Sequence, residues 1–367
     1  MLLTRRGLAP LLALAARGAA RAAEGNMVAG WSTEDGPESS YYEKDGVIHA
    51  TPAAEYPAWL RSAKQYENFD LSMDWFSKGW MDGGVYFSAP EHGVKSRCGF
   101  KVSLFHQLDK DPRTNSALSI FPVIAPRLVN VKPEWNALRI RMDWPKLQVW
   151  SNGAMVHDLD CEAHPELKYR LHRGYLGLES LSYPHRWRNI RIEELPAREK
   201  WEPLFTREAD LARWTITEVN ERAPAKFEAF GRILRSDGLG NLTTKEKYRD
   251  FALRMYIRGT HQHNGGVLFR SHGGRERYEI QLHDVREAHY PTGSLYFFQR
   301  AKYPEIESQQ WFLLQMWVKD AWCLVRINGE NVMEYGGLEN LQPGFLELQA
   351  HQAGRWMEYK EIEVKRL

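Results

Sequence analysis

Cysteine is scarce in this 367-residue chain, which has three: Cys98, Cys161 and Cys323. Their wide spacing fits no zinc motif and allows at most one disulfide, so we interpret them as small buried residues. An excess of charge of one sign is also lacking, because 49 basic residues face 47 acidic ones and the formal net charge is +2. This balance gives no reason to expect nucleic acid or an anionic membrane surface as a partner.

Long hydrophobic runs are missing as well. The apolar run from Leu8 to Ala16 is far shorter than the roughly 20 residues of a membrane-spanning helix, and no later segment could span a membrane. Arg5 and Arg6 precede this run, and small residues follow it to Ala23. That order predicts a signal peptide over residues 1–23, loosely of the twin-arginine type, and a periplasmic or secreted protein. A frayed amphipathic N-terminal helix is the alternative.

Several sequence motifs of catalysis are absent. The chain has no Walker-type phosphate loop, no dinucleotide fingerprint, no G-x-S-x-G elbow and no H-E-x-x-H zinc helix. It also has no long amphipathic helix after the N-terminal segment. The 43% apolar and 26% charged residues are ordinary for a globular protein and argue against extended disorder.

The chain repeats itself. Five segments of the N-terminal half match, in order, five segments of the C-terminal half with a small drift in offset. Residues 83–87 match residues 265–269 at an offset of 182 (265 − 83), and Asn152-Gly153 matches Asn328-Gly329 at an offset of 176 (328 − 152). The other pairs are 66–71 with 248–253, 135–138 with 311–314, and 174–178 with 344–348. Ordered matches of this kind predict a duplicated domain, with copies over residues 27–196 and 204–367 and a linker over 197–203.

Each copy has the pattern of short β-strands separated by turns. Asn152-Gly153 and Asn328-Gly329 each lie between two apolar runs of strand length, which is the strongest short signal for a β-hairpin. A short helix is expected near residues 208–211. Many short strands with regular turns predict an all-β fold, a sandwich or jelly roll in each copy. Trp135, Trp150 and Trp311 fall in strand patterns, so we expect them in the core rather than on a sugar-stacking surface.

Alternation along the strands places a polar set on one sheet face of the second copy. In residues 278–284, Tyr278, Ile280 and Leu282 point to the core, so Glu279, Gln281 and His283 point away from it. Residues 345–351 place Glu347, Gln349 and His351 on the outer face in the same way. If these strands are neighbours, that face carries convergent polar groups. The predicted set is Arg270, Glu279, Gln281, His283, Gln349 and His351.

The first copy has different residues at the corresponding positions. They are Ser88, Lys101, Ser103, Phe105 and Glu179, so we expect the site in the second copy. The alternative is that the polar face is simply solvated, as antiparallel sheets often are. His261 and His263 could be metal ligands, although a solvated turn is favoured for them.

The second copy resembles a bacterial family, once labelled DUF1080, of 3-keto-disaccharide hydrolases with a concanavalin A-like jelly-roll fold. The resemblance rests on residues 264–270, 278–284 and 344–351, on Trp311 and on Asn328-Gly329. The first copy is similar to the family more weakly, mainly through residues 83–87, 152–153 and 188–192. The implied fold is two tandem concanavalin A-like jelly-roll sandwiches, and the implied ligand is a saccharide or keto-saccharide.

The resemblance implies a specific chemistry. A ketone at sugar carbon 3 acidifies the proton on carbon 2, so a base can remove it and eliminate the group on carbon 1, with water added afterwards. Glu279 or His351 is the expected base, and Arg270 or a bound cation would stabilise the enolate-like charge. No cofactor is identified, and a divalent cation in that role stays open. The residues expected to hold the substrate are Gln281, His283, Asp284, Gln349 and Asn264.

The sequence leaves three alternative functions open. A two-carboxylate glycosidase fits less well, since one carboxylate alone, Glu279, is assigned to the face. A non-catalytic carbohydrate-binding module of the cell envelope could use the same fold. A structural or adhesion protein would bind no sugar at all.

Overall fold

The computed structural model describes residues 30–51, 58–76, 81–105, 117–125, 130–274 and 276–367. The predicted signal peptide lies outside these residues. Within the described ranges, no helix is long and apolar enough to cross a membrane.

In its described residues, the first domain is a sandwich of twelve short strands. Their bounds are β1 Ser32–Glu34, β2 Tyr41–Lys44, β3 Val47–Ala50, β4 Ala58–Tyr66, β5 Asn68–Phe76, β6 Gly83–Ala89, β7 Phe100–Ser103, β8 Trp135–Asp143, β9 Lys146–Ser151, β10 Ala154–Asp160, β11 Gly174–Ser180 and β12 Arg186–Leu195. Two short helices accompany them, a 3-10 helix at Glu38–Ser40 and α1 at Lys95–Cys98.

The second domain contains the remaining strands. They are β13 Glu202–Phe205, β14 Trp214–Thr217, β15 Lys226–Phe230, β16 Ile233–Asp237, β17 Gly240–Tyr248, β18 Phe251–Gly259, β19 Asn264–Ser271, β20 Tyr278–His283, β21 Phe312–Lys319, β22 Trp322–Ile327, β23 Glu330–Tyr335, β24 Gly344–Ala350 and β25 Met357–Arg366. A 3-10 helix at Glu208–Arg213 lies where the sequence predicts a short helix.

The two domains have the same sheet topology. The small sheet runs β1-β4-β11-β6-β7 in the first domain and β14-β17-β24-β19-β20 in the second. The large sheet runs β10-β9-β8-β5-β12-β3-β2 in the first and β23-β22-β21-β18-β25-β16-β15 in the second, where β13 also pairs with β25. Strand by strand these orders correspond, so the predicted duplication and the all-β fold of two tandem jelly-roll sandwiches are confirmed.

Alternating apolar side chains fill the space between the sheets. In β5 they are Phe69, Leu71, Met73 and Trp75, and in β21 they are Phe312, Leu314, Met316 and Val318, all of them almost fully buried. Each such side chain contributes roughly 1.5–3 kcal/mol when removed from water. The three cysteines are free and buried, as predicted.

The Asn-Gly pairs form the predicted hairpin turns. Asn152 and Gly153 connect β9 to β10 with φ values of 48° and 80°. Asn328 and Gly329 connect β22 to β23 with φ values of 48° and 84°. Positive φ at both central residues is the requirement of a type I′ turn, which explains the choice of these residues.

Two details differ from the sequence predictions. The predicted linker over 197–203 is too long, because β13 begins at Glu202 and pairs with β25. Trp135, Trp150 and Trp311 are not core residues but half-buried ones. Trp135 and Trp150 lie on the outer face of β8 and β9, and Trp311 directly precedes β21. The sandwich core of the first domain instead contains Trp75 and Trp187.

The outer face of the second domain's large sheet packs against the first domain. Cys98 and Leu171 of the first domain form an apolar cluster with Tyr256 and Leu313 of the second. The backbone N–H of Glu91 donates to the Tyr256 hydroxyl over 2.8 Å. Lys360 lies 3.0 Å from the Glu91 carboxylate, and Arg173 of the first domain lies 2.7 Å from Glu363. Apolar and ionic contacts therefore fix the two sandwiches against each other.

Candidate functional site

The outward face of the second domain's small sheet carries two rows of side chains across its strands. In one row, Gly266 pairs with Gln281 on one side and with Gln349 on the other, and Gln349 pairs with Asn241. In the other row, Leu268 pairs with Glu279 and with Glu347, and Glu347 pairs with Thr243. We call this surface the polar face, defined by Glu279, Gln281, Glu347, Gln349, Asn241 and Thr243.

The side chain of Glu279 extends from the edge strand β20 over β19, because the residue beneath it is a glycine. A Cβ atom added to Gly266 would stand 2.5 Å from Oε1 of Glu279, so the carboxyl group rests directly on the backbone of β19. Burial raises the pKa of Glu279 to about 7, against a smaller opposing effect of Arg277. A carboxyl group that titrates near neutral pH is suited to accept and return a proton.

A second carboxyl group, Glu347, shares the polar face. Its Oε2 accepts a hydrogen bond of 2.7 Å from Nδ2 of Asn241, and burial raises its pKa. Arg277 lies 3.9 Å from Glu347 and 2.7 Å from Glu218. Sequence alternation placed Glu347 on this face, but only Glu279 was assigned there as a carboxylate, and that assignment was incomplete.

Amide and imidazole groups extend the polar face. Gln281 donates through Nε2 to Oδ1 of Asn264 over 2.6 Å. Burial lowers the pKa of His283, which lies on the same strand face as Glu279. His351 follows the end of β24 and is exposed. It is close enough to His283 to contribute to the lowering of that residue's pKa. The structure thus brings together Glu279, Gln281, Gln349 and Asn264, with His283 and His351 at one end.

Arg270 does not join this group, and its predicted place on the face is wrong. Its guanidinium is fully buried and donates to the backbone oxygens of Arg249 and Asn340 over 2.9 and 3.1 Å. It also pairs with Asp250 over 3.0 Å. The reason is a β-bulge: the register shifts between Leu268 and Ser271, and Arg270 has a φ of 46°. Alternation fails where a bulge inserts a residue.

Asp284 is also placed differently from the prediction. Its side chain is buried and accepts a hydrogen bond of 2.7 Å from the hydroxyl of Ser308. Its Oδ1 lies 3.8 Å from Nδ1 of His263, which is itself buried rather than part of a solvated turn. Asp284 therefore supports the loop beside His283 instead of lining the polar face.

Two members of the polar face, and one residue beside it, were missed by the sequence reasoning. Asn241 and Thr243 alternate with buried Leu242 in β17, so the same period-two reading would have found them. Arg277 precedes β20, and no sequence pattern marked it as part of the site.

Among the described residues, no group of three or more His, Cys, Asp or Glu side chains is arranged to hold a metal ion.

The corresponding face of the first domain has different chemistry. Lys101 occupies the position of Glu279 and lies over Gly84, as Glu279 lies over Gly266. Its ammonium group pairs with Glu179, which also accepts a hydrogen bond from the Tyr86 hydroxyl. A paired carboxylate and a lysine replace the carboxyl group that titrates near neutral pH. The prediction that the two copies keep one fold with different polar groups is confirmed at these positions.

Comparison with solved structures finds many proteins that match about half of this chain. One is a candidate glycosyl hydrolase from Parabacteroides distasonis, with 21% identity over 44% of this chain and 93% of the other, and a TM-score of 0.38. Another is a carbohydrate-binding module from Bacillus subtilis, with 12% identity over 45% and 96% and a TM-score of 0.32. A third is a Bacillus subtilis protein with a galectin-like fold, with 12% identity over 46% and 94% and a TM-score of 0.34.

No curated protein matches the sequence significantly. The family described as a 3-keto-alpha-glucoside-1,2-lyase-like domain matches twice, over residues 18–193 and 200–365. These two matches cover both sandwiches. The chain therefore belongs to the 3-keto-alpha-glucoside-1,2-lyase-like family and contains two tandem copies of its domain.

Proposed function

We propose that the second domain cleaves 3-keto-glycosides on its polar face, with Glu279 as the base that removes the proton from sugar carbon 2. The observation that carries this proposal is the half-buried Glu279 carboxyl group, whose pKa is raised to about 7 among amide groups that can hold hydroxyls. An ordinary surface glutamate would be a weaker base at the same pH, because its pKa lies near 4.3.

The reaction proceeds by elimination and then hydration. Glu279 takes the proton from carbon 2, which the ketone on carbon 3 has acidified, and an enolate forms. Its electron pair makes a double bond between carbons 1 and 2 as the bond from carbon 1 to the glycosidic oxygen breaks. The leaving oxygen receives a proton. Water then adds its hydroxyl to carbon 1 and a proton to carbon 2, so the net reaction is hydrolysis.

Groups on and beside the polar face supply charge and protons. Arg277 lies close to both Glu347 and Glu218. Its positive charge is therefore near the polar face, where it can stabilise the negative charge of the enolate. It takes the part that the sequence assigned to Arg270. Glu347, whose pKa burial also raises, is a suitable acid for the leaving oxygen. Gln281 and Gln349 flank Gly266 and are positioned to bind sugar hydroxyls.

The test compares 3-keto-trehalose with trehalose as substrates of the purified mature protein, with and without EDTA. We expect sugar to be released from 3-keto-trehalose and not from trehalose. If EDTA abolished this release, the reaction would require a metal ion. Glu279→Gln should abolish release. The matched control is Glu228→Gln, because Glu228 is an exposed glutamate on β15. Release from both compounds, or full activity of Glu279→Gln, would refute the proposal.

Binding without release would favour the non-catalytic alternative. Titration calorimetry with 3-keto-trehalose distinguishes the two, since Glu279→Gln should spare most of the affinity of an enzyme while removing turnover. No affinity for either sugar would support a structural or adhesion role instead.

We also propose that the chain is exported, because residues 5–23 have the order of a signal peptide. A fusion of residues 1–30 to a reporter that is active only outside the cytoplasm tests this. Replacement of Arg5 and Arg6 by lysine should reduce export if the twin-arginine route is used, and an inactive wild-type fusion would contradict the proposal.

A further inference from the structure

A cavity of about 350 Å³ lies between the two domains, on the outer face of the second domain's large sheet. We call it the interdomain cleft. Residues 144 and 168–172 of the first domain form one wall, and strands β18, β21 and β22 form part of the other. None of the residues of the polar face lines it. The cleft is therefore separate from the site proposed for Glu279.

Four tryptophans line the cleft: Trp144, Trp201, Trp317 and Trp322. All four are half-buried, so part of each ring surface is open to the cavity. Contacts hold the rings in place: Trp144 stacks on His172 with 3.4 Å between ring centroids, and Trp317 lies 4.8 Å from the ring of Tyr169. Open, fixed aromatic surfaces are suited to the apolar faces of sugar rings.

Gln315 places an unsatisfied acceptor in the same cavity. Its side chain is 3% exposed, and its Nε2 donates to the backbone oxygen of Tyr169 over 3.3 Å. Its Oε1 has no hydrogen-bond donor in the described part of the chain. Buried polar atoms almost always have a partner, so this oxygen indicates a donor supplied from outside. A hydroxyl group of a ligand that sits against the tryptophans would be such a donor.

The unpaired charges of the cleft are mostly positive. Lys168 and Lys319 line it, and among the described residues neither forms an ion pair. Among the described side chains that line the cleft, Glu162 is the acidic one without an ion pair. Glu199 lies 2.5 Å from Lys365 and 2.9 Å from His172, and Arg254 lies 2.7 Å from Glu363. Arg170 also lines the cleft, and its guanidinium donates to backbone oxygens, among them those of Ser96 and Gly99. An anionic ligand would offset the excess of positive charge.

We propose that the interdomain cleft is a second saccharide-binding site, and that it takes an oligosaccharide bearing carboxylate groups. The tryptophans hold the sugar rings, Gln315 Oε1 accepts from a hydroxyl, and the two lysines attract the carboxylates. Residues from both domains are needed, which gives the tandem arrangement a role that neither sandwich has alone. The site does not depend on catalysis by Glu279.

Titration calorimetry of the full mature protein with trigalacturonate and with maltotriose tests the proposal. Trigalacturonate should bind, and added salt should weaken its binding. Trp317→Ala should weaken it at least about tenfold, since a central aromatic anchor carries a large share of binding energy. Trp150→Ala is the matched control, because Trp150 is half-buried on a strand of the first domain and does not line the cleft.

Lys319→Gln keeps the test decisive if Trp317→Ala fails to fold. Lys319 is exposed, so its substitution should leave the thermal midpoint unchanged while it weakens trigalacturonate binding and reduces its salt dependence. The proposal is overturned if trigalacturonate does not bind, or if Lys319→Gln binds it like the wild type. Equal affinity for maltotriose would remove the assignment of a carboxylate-bearing ligand.

Discussion

Gly266 gives the sharpest test of how the polar face works. A methyl group at this position would stand 2.5 Å from Oε1, 2.7 Å from Cγ and 2.9 Å from Cδ of Glu279. An ordinary contact begins at about 3.4 Å, so the carboxyl group must move by about 1 Å (3.4 − 2.5 = 0.9). A displacement of about 1 Å in a reacting group can cost about 100-fold in rate. We therefore expect Gly266→Ala to lower kcat/KM for 3-keto-trehalose by about 100-fold.

Stability should change little in the same variant. The clashing atoms all belong to the side chain of Glu279 and none to the backbone, so the side chain can move away. Alanine is also favoured over glycine in a strand by roughly 0.5–1 kcal/mol. The assay follows sugar release from 3-keto-trehalose, with the thermal midpoint measured in parallel. Gly336→Ala is the matched control, since a Cβ atom there meets nothing within 4 Å.

The pH dependence separates displacement of Glu279 from general damage. In the wild type, kcat/KM should rise through pH 7, because Glu279 acts as a base once it has lost its proton. In Gly266→Ala the carboxyl group moves away from its buried position, so the inflection should shift to lower pH. Full activity of Gly266→Ala, or an unchanged inflection with reduced activity, would refute the reasoning.

Three further predictions concern stability. The pKa of Glu279 rises from 4.5 to about 7 on folding. The folded state therefore binds the proton more tightly than the unfolded state, which stabilises the fold fully below pH 4.5. This stabilisation is lost as the pH rises to 7. Glu279→Gln should then raise the free energy of unfolding at pH 8.5 by at most about 3 kcal/mol and hardly at pH 4, as measured by urea denaturation. Arg270→Ala should destabilise the fold by about 3–5 kcal/mol in the same assay, because it leaves Asp250 without its buried partner; a loss under 1 kcal/mol would contradict the structural role. Gly153→Ala should cost about 1 kcal/mol at a φ of 80°, although the added Cβ meets no neighbour, and an unchanged thermal midpoint would contradict this.

Much of the fold could be predicted because two signals repeat along the chain. The Asn-Gly turns and the ordered matches between the halves depend on local chemistry, and both survive in the structure. Period-two alternation correctly grouped Glu279, Gln281 and Gln349, because β19, β20 and β24 are regular at those positions.

The remaining errors have physical causes that the sequence does not display. A bulge turns Arg270 away from the face, and the same positive φ occurs at Ser88 in the first domain. Trp135, Trp150 and Trp311 were assigned to the core, since alternation does not show which side chains outside the core are half-buried. Trp311, for example, stacks on His92 of the other domain. The interdomain cleft depends on how Trp144 and Trp317 meet across two domains, which no local pattern encodes.

The most direct measurement follows deuterium at carbon 2 of the product when cleavage of 3-keto-trehalose is run in deuterated water. Elimination followed by hydration predicts 3-keto-glucose with one solvent deuterium at carbon 2. A parallel incubation of 3-keto-glucose in the same buffer corrects for exchange without the enzyme. Sugar release with carbon 2 still carrying its original hydrogen would mean direct hydrolysis, and would contradict the role of Glu279 as the base that removes that proton.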